Sequence, residues 1–462
     1  MKKIKLNIED FFNIPTAVIY NPDYLKSIYH ISIDSRNIRK NTLFIAIKGE
    51  RLDGHNFVDA AVKNGAAAIM INSKYLPKIK DYNLTIITVK DTTIALGEVA
   101  KRWREKLKTK IIGITGSAGK TTTKEILAAL LSEKFKVNKT LANQNNHIGV
   151  PLTILSTNEK HDVLVTELGT NHFGEIAYTS VIAKPDVALI TNIGDSHLEY
   201  LKNRKGVFKE KSALLKETLI NNGKIFINND DPILRSFGAK VKSKSTFALH
   251  HPADYKASIK GYDKLARPVI EIKIKDKNFS TILPISGEKN VLNFCSAFAI
   301  ASELELSNNQ ISKAVKKIKS YSKRLEIKNH KNFTLINDTY NANPDSMKSA
   351  LDILSRINTR KRKIAVLGDM FELGSESKNK HLELASIIKN TGVDEVYTIG
   401  KLMKFMDKRL NAVIKTHKHF NERTSLKKLL ASLNINNSVL LVKGSRGMKM
   451  EEFVSIIESS NK

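Results

Sequence analysis

Residues 111–135 fix the topology of the middle of this chain. Four apolar residues, Ile111-Ile112-Gly113-Ile114, run into Thr115-Gly116-Ser117-Ala118-Gly119-Lys120-Thr121, and a helical pattern follows over Glu125–Phe135. Apolar strand, glycine-rich turn and helix in that order make a βα unit whose turn points backbone N–H groups at one place, the N-terminus of the helix. Such a turn cradles a phosphate, Lys120 adds a positive charge, and the Thr121 hydroxyl can hold Mg2+. A nucleoside triphosphate is the expected ligand. The general pattern G-x-x-x-x-G-K-[ST] wants glycine at 114; this chain has Ile114 there, and Gly116 supplies the flexible backbone instead. The alternative is a plain strand-to-helix turn rich in small residues.

At 462 residues the chain has room for two to four domains. Its hydrophobic fraction of 41% and charged fraction of 26% are those of a soluble globular protein. No apolar run approaches the ~18 residues of a membrane span, and the N-terminus turns acidic at Glu9-Asp10 before a signal-peptide core develops. The single cysteine, Cys295, excludes an intramolecular disulfide and a cysteine-rich metal site. A cytoplasmic protein without a membrane span is expected. The formal net charge of +30 has two readings: compositional drift in a chain rich in Lys, Asn and Ile, or a site for a polyanionic substrate. The basic residues are spread along the chain with no interleaved aromatics, so no nucleic-acid partner is expected.

Three regions follow from the patterning. The first, residues 1–89, mixes short strands (41–47, 67–71, 85–89) with a helix over 57–64. The second, 90–322, opens with a helix over 95–106 and the phosphate loop. It continues with the apolar runs 163–168, 187–193 and 224–227, a strand-rich insertion over 245–285 and a helix over 291–304. Runs apolar at nearly every position, separated by helices, indicate a buried parallel sheet covered on both faces. The third, 323–462, alternates strands (334–337, 363–367, 395–399, 438–442) with helices (346–357, 381–390, 403–410, 425–433), again a doubly wound α/β unit. The fold class is therefore α/β in three domains: a mixed N-terminal domain, a central P-loop parallel-sheet domain and a C-terminal Rossmann-like domain.

Open α/β sheets bind ligands beyond the carboxyl ends of their strands, and polar residues gather at those ends. Glu167 follows one apolar run and leads into Asn171, His172 and Glu175; His197 lies shortly after the next, beyond Thr191-Asn192. A carboxylate beside a phosphate loop is a natural Mg2+ ligand, since the hard cation takes oxygen; taken singly, Glu167 could equally be a capping carboxylate and His197 a hydrogen-bonded loop histidine. The third region adds Asp338-Thr339-Tyr340-Asn341-Ala342-Asn343-Pro344-Asp345-Ser346, Gly368-Asp369-Met370 with Glu372, and Lys443-Gly444-Ser445-Arg446. Each can be an ordinary turn or helix cap. Three such loops at strand ends of one sheet point to one concave site.

These motifs resemble the Mur ligase family, ATP-dependent enzymes that extend the peptide of the cell-wall precursor. The resemblance rests on Asp34-Ser35-Arg36, Lys48 to His55, Thr115 to Thr121, Asn143 to Asn146, Glu167 to His172, His197, Asn290 to Asn293, Arg324-Leu325-Glu326, Tyr340 to Ser346 and Lys443 to Glu451. The form Thr-Gly-x-x-Gly-Lys-Thr, with no glycine at 114, is typical of that family. The resemblance implies ATP and Mg2+ as cofactors, and UDP-N-acetylmuramoyl-tripeptide and D-alanyl-D-alanine as the partners joined, by a monomer. It implies that Ser35, Arg36, Asp53, Gly54 and His55 bind the uridine diphosphate end. Asn145, Asn146, Asn171, His172, Tyr340, Asn341, Asn343, Asp345, Ser346, Lys443, Ser445 and Arg446 would complete the substrate contacts. Thr115, Gly116, Ser117, Ala118, Gly119, Lys120, Thr121, Asn293, Arg324 and Asp338 would hold ATP. Thr121, Glu167, His197 and Lys211 would hold magnesium, with Lys120, His197 and Lys211 in the catalytic set. Lys211 matches a lysine that many members carry as a carbamate; the alternative is a solvated helix lysine. One departure stands out: the family commonly has histidine before Asn290, and this chain has Lys289. Acceptors of related ligases, a single third amino acid or glutamate on a folate, remain the alternative substrates.

Overall fold

The computed structural model describes residues 4–25, 27–80, 82–275, 277–319, 323–412 and 414–460; the expected boundary at residue 322 lies outside them. The described chain packs as two compact units, one of residues 1–115, 134–189 and 212–225, the other of 116–133, 190–211 and 226–462. Its strands form three sheets of five, nine and six.

In the first unit β1 (Val18–Tyr20), β2 (His30–Ser32), β3 (Thr42–Ile45), β4 (Ala68–Asn72) and β5 (Thr85–Val89) take the order β1-β5-β4-β3-β2. All pairs are parallel except β1 with β5. Phe44, Ile69, Ile71 and Ile86 meet Val58 and Ala61 of the helix Val58–Lys63 in one core. In the nine-stranded sheet, β6 (Lys110–Thr115), β7 (Val137–Lys139), β8 (Val163–Glu167) and β9 (Val187–Ile190) run β9-β6-β8-β7. Strands β6 and β8 are parallel, with Ile114 opposite Glu167. Every residue of β8 is buried, as its near-continuous apolar run requires of a strand covered on both faces. β10 (Lys224–Asn228), β11 (Lys244–Ala248), β12 (Tyr255–Tyr262), β13 (Pro268–Ile274) and β14 (Lys277–Ile282) lie side by side in chain order. The last three form an antiparallel meander, the strand-rich insertion seen in the sequence.

The third sheet joins β15 (Glu326–Asn329), β16 (Phe333–Asp338), β17 (Arg362–Gly368), β18 (Glu395–Ile399), β19 (Thr416–Phe420) and β20 (Ser438–Lys443) in the order β15-β16-β20-β17-β18-β19. All but β15 run parallel. Side chains alternate across it: Val439 and Leu441 face Met347, Leu351, Leu384 and Met403 on one side, while Leu440 and Val442 face Leu426, Leu430, Phe453 and Ile457 on the other. Each such fully buried side chain contributes about 1.5–3 kcal/mol. Because β20 lies between β16 and β17, the chain reverses its winding there, and the loops after these three strands flank the crevice where such sheets bind ligands.

Candidate functional site

The phosphate loop is built as the sequence predicts. Strand β6 ends at Thr115 and the helix Lys120–Leu131 starts five residues later, with Gly119 at its N-cap at φ 83°. Only glycine takes that left-handed conformation without strain. Gly116 stands at φ 149°, and a Cβ there would lie 1.9 Å from Thr191 Oγ1. Lys120 Nζ donates to the Gly116 carbonyl at 2.6 Å, which holds the ammonium over the loop.

The segment after β9 clasps this loop. Ser117 N donates to the Asn192 carbonyl at 3.0 Å. The Asn192 side chain accepts from Ala118 N at 3.2 Å and donates to Ala118 O at 3.0 Å. Thr191 Oγ1 donates to the same carbonyl at 2.6 Å, and Gly194 N donates to Ser117 Oγ at 2.9 Å. The clasp is itself braced: Asn228 Nδ2 donates to Thr191 O, and Asp231 accepts from Ile193 N at 2.6 Å. Arg204 grips Asp195 at 2.8 and 3.1 Å and holds that carboxyl below its usual pKa, against the opposing effect of burial. The loop motif gives no sign of Asn192; its place just past a strand end is the only sequence signal. On the helix Glu288–Glu303, Asn293 packs so closely on Gly119 that a Cβ there would be 2.5 Å from its Oδ1.

His197 takes a left-handed conformation at φ 52°, and its Nδ1 lies 2.8 Å from Glu372 Oε2. This contact lowers the Glu372 pKa while burial works the other way. Glu372 is thus the partner that the sequence leaves unassigned. Lys211, on the helix Arg204–Ile220, is only 1% exposed, and the neighbouring Glu210 and Ser212 are buried with it. A solvated lysine at this position is ruled out. Glu167 is 2% exposed, and Asn145 Nδ2 donates to its Oε1 at 2.9 Å. Among the described residues no three His, Cys, Asp and Glu side chains gather closely enough to hold a metal by themselves. The donors expected for Mg2+, the Thr121 hydroxyl and the Glu167 carboxylate, are buried oxygens of the kind a hard cation takes.

Other expected substrate residues are engaged locally. Arg36 pairs with Asp34 through Nε and Nη2 at 2.9 and 2.8 Å, and chiefly this bond holds the Asp34 carboxyl at about 2. Ser35 is buried, and its carbonyl accepts from Asn64. Asp53 accepts from the Tyr75 hydroxyl at 2.6 Å and faces His55 Nδ1 at 2.6 Å, while His55 Nε2 accepts from Asn72 N. Gly54 lies against the Ile47 backbone, where a Cβ would meet Ile47 N at 2.7 Å. Asn146 Oδ1 accepts from Gly149 N, and Glu175 gathers the Asn171 and His172 amides.

In the third region Asp338 and Lys443 are opposed on adjacent strands and bonded at 2.5 Å. Lys443 also donates to Asn341 O at 2.9 Å, and Arg446 N to Asn341 Oδ1 at 3.3 Å. Ser445 Oγ accepts from Phe371 N at 2.8 Å. The Arg324 guanidinium stacks 3.7 Å above the Tyr340 ring. Asn343 and Ser346 form a reciprocal capping box on the helix Pro344–Arg356. Asp345, in its first turn, reaches toward the phosphate-loop clasp: a Cβ on Gly194 would stand 2.7 Å from Asp345 Oδ2 and 3.5 Å from Ser117 Cβ.

The chain matches the family models "Mur ligase family, catalytic domain" over residues 27–104, "Mur ligase middle domain" over 114–301 and "Mur ligase, glutamate ligase domain" over 323–446. A Bacillus subtilis (strain 168) relative, named UDP-N-acetylmuramoyl-tripeptide--D-alanyl-D-alanine ligase, is 34% identical over 464 residues, 99% of each chain. A crystal structure of MurF from Acinetobacter baumannii superposes with a TM-score of 0.88 at 30% identity, covering 99% of this chain and 100% of that one. MurF ligase from Thermotoga maritima in complex with ADP gives 0.81 at 28% identity over 93% and 97% of the two chains. With its phosphate loop, strand-end loops and relatives matched end to end, this chain belongs to the Mur ligase family.

Proposed function

We infer that this chain is the ATP-dependent ligase that joins D-alanyl-D-alanine to UDP-N-acetylmuramoyl-tripeptide, giving the pentapeptide precursor of peptidoglycan, ADP and phosphate. The carrying observation is the 34% identity to a ligase of that name over 99% of both chains, in a fold whose phosphate loop is fully built. A substrate carboxylate attacks the γ-phosphate of ATP, giving an acyl phosphate and ADP. The dipeptide amine, in its neutral form, then attacks the activated carbonyl; the nitrogen loses one proton and phosphate leaves from the tetrahedral intermediate. The first step gathers negative charge on the transferred phosphoryl group, and the second on the acyl oxygen and then on the departing phosphate, which is where preorganised donors contribute most.

The residues divide this work. The N–H groups that open the helix Lys120–Leu131 and the ammonium of Lys120 stabilise the phosphates, and the Asn192 clasp, which takes the Ser117 and Ala118 N–H groups, holds the loop in shape. Asn293, Arg324 and Asp338 serve the rest of the nucleotide. Ser35, Arg36 and the 53–55 turn serve the uridine diphosphate end, with the turn's shape fixed by the Asp53–His55–Tyr75 contacts. The loops at 340–346 and 443–446 serve the dipeptide. Thr121, Glu167, His197 and Lys211 are the residues assigned to hold Mg2+. Lys211, buried beside Glu210 and Ser212, is the lysine assigned to carry a carbamate, which would turn a cation into an oxygen ligand for the metal. When bound, Mg2+ neutralises charge on the phosphoryl oxygens. Residues 1–89, 90–322 and 323–462 are accordingly the substrate, ATP and ligase domains.

The test is ADP release by the purified chain against a panel of acceptors. Turnover should require both the tripeptide precursor and D-alanyl-D-alanine, and Lys120→Ala should abolish it. Release with a single amino acid or with a folate acceptor instead would assign the chain to another branch of the family.

A further inference from the structure

Lys289 stands where the family motif commonly carries histidine, in the first turn of the helix Glu288–Glu303. Its Nζ donates to the Asp345 carbonyl at 3.0 Å and lies 3.9 Å from the Asp345 carboxylate. Four residues further along the same helix, Asn293 packs on Gly119 of the phosphate loop and donates to Asn290 Oδ1 at 3.1 Å. Asp345 in turn approaches Gly194, whose N–H bonds to Ser117. The contacts close a ring: phosphate loop, Asn293, Asn290, Lys289, Asp345, Gly194 and back to the loop at Ser117. Apart from Lys120 of the phosphate loop itself, no other member of the ring supplies a formal positive charge.

The contact is placed to orient the helix Pro344–Arg356, whose N-terminal residues 343–346 belong to the candidate dipeptide loop. Beside it, Gly287 lies under Ile353, where a Cβ would meet Cδ1 at 2.8 Å, and Arg356 stacks on Tyr262 at 4.8 Å. These neighbours dock the middle and far end of that helix; Lys289 holds its first turn. The Lys289 side chain is 47% exposed and that of Asp345 43%, so water reaches both groups and the contact can form and break without unfolding either helix. Burial of the stem and the nearby Lys348 and Lys443 charges lower the Lys289 pKa, opposed by Asp345 and Glu288. The ammonium therefore gains from keeping Asp345 close.

We propose that Lys289 is a positioning residue that ties the first turn of the helix Pro344–Arg356 to the phosphate loop, setting the dipeptide amine against the acyl phosphate. This rests on the reading that residues 340–346 serve the dipeptide. The ATP loop is complete without the tie, so its loss should act on the second substrate and on turnover rather than on ATP. A solvent-accessible tie of this kind is modest in strength.

The experiment compares Lys289→Met and Lys289→Arg with the unmodified chain in the ADP-release assay, varying ATP, tripeptide precursor and dipeptide separately. Lys289→Met should lower kcat and raise the dipeptide KM, together by about fivefold in kcat/KM, with the ATP KM within about twofold. Lys289→Arg, which keeps the charge and a donor, should restore most of both. An unchanged dipeptide kcat/KM in Lys289→Met overturns the proposal. So does an equal loss in both variants that follows a fall in melting temperature, since that marks a merely structural role. If the unmodified chain releases no ADP with these substrates, the functional reading fails, and the tie is judged by small-angle X-ray scattering with ADP bound. A larger radius of gyration in Lys289→Met supports it, and identical profiles overturn it.

Discussion

Lys443 and Asp338 face each other across adjacent parallel strands, with Nζ to Oδ2 at 2.5 Å and both side chains buried. Their pairing follows from register: residues opposite each other on parallel strands project to the same side, so two strand-end charges must be alike and repel or opposite and bind. Removing one partner leaves an uncompensated buried charge. Lys443→Met should therefore lower unfolding stability by about 3–5 kcal/mol, and adding Asp338→Leu should recover much of the loss. Urea unfolding of the single and double variants reads this directly.

Asn192 matches both the donor and the acceptor of Ala118, acting as a piece of backbone fixed to the loop. Asn192→Ala should raise the KD for ADP by about tenfold through lost preorganisation. Asn192→Asp should be worse, because it loses the donor and places a negative charge beside the phosphates. Calorimetric titration of ADP tests the order; equal affinities in all three proteins would show that the loop holds its shape without the clasp.

Glu167 is fixed by Asn145 beside the strand that feeds the phosphate loop. Glu167→Gln keeps that bond and removes the charge. The Mg2+ concentration for half-maximal activity should rise by about tenfold or more, as loss of a carboxylate ligand from a hard-cation site requires. An unchanged magnesium titration removes Glu167 from the metal set.

Asp53 carries a pH signature. Burial opposes its ionisation, but the Tyr75 hydroxyl, the His55 amide and the His55 ring outweigh it and hold the carboxyl at about 2, against an ordinary 3.8. A depressed carboxyl contributes stability that is fully present above its unfolded value and is lost as pH falls through the folded one. Asp53→Asn should thus be less stable than the unmodified chain at neutral pH, by at most about 2 kcal/mol. The gap should close as the pH drops from about 4 towards 2, which paired thermal melts across that range will show.

Elements with strong local periodicity are legible in the sequence: the spans 85–89, 395–399 and 403–410 coincide with β5, β18 and a helix of the structure. Edge elements are not. β19 reads Thr-His-Lys-His-Phe and β15 Glu-Ile-Lys-Asn; with one flank unpaired, such strands need no apolar run. The helix Glu451–Ser460 likewise lies in the motif-bearing tail, which the sequence shows only as a ligand-loop continuation.

By itself the sequence determined the phosphate loop, the α/β alternation and the strand ends where polar residues collect, because glycine conformation, apolar periodicity and helix start are local properties. Only the tertiary structure decided which side chain meets which. His197 finds Glu372 across 175 positions of chain, Asp338 finds Lys443 across 105, and Lys289 finds Asp345 across 56. It also showed that Asp53 and His55 answer each other, that Asn343 and Ser346 cap a helix, and that Lys211 is buried. Partner choice and burial are set by packing between distant segments, and no window of residues carries that information.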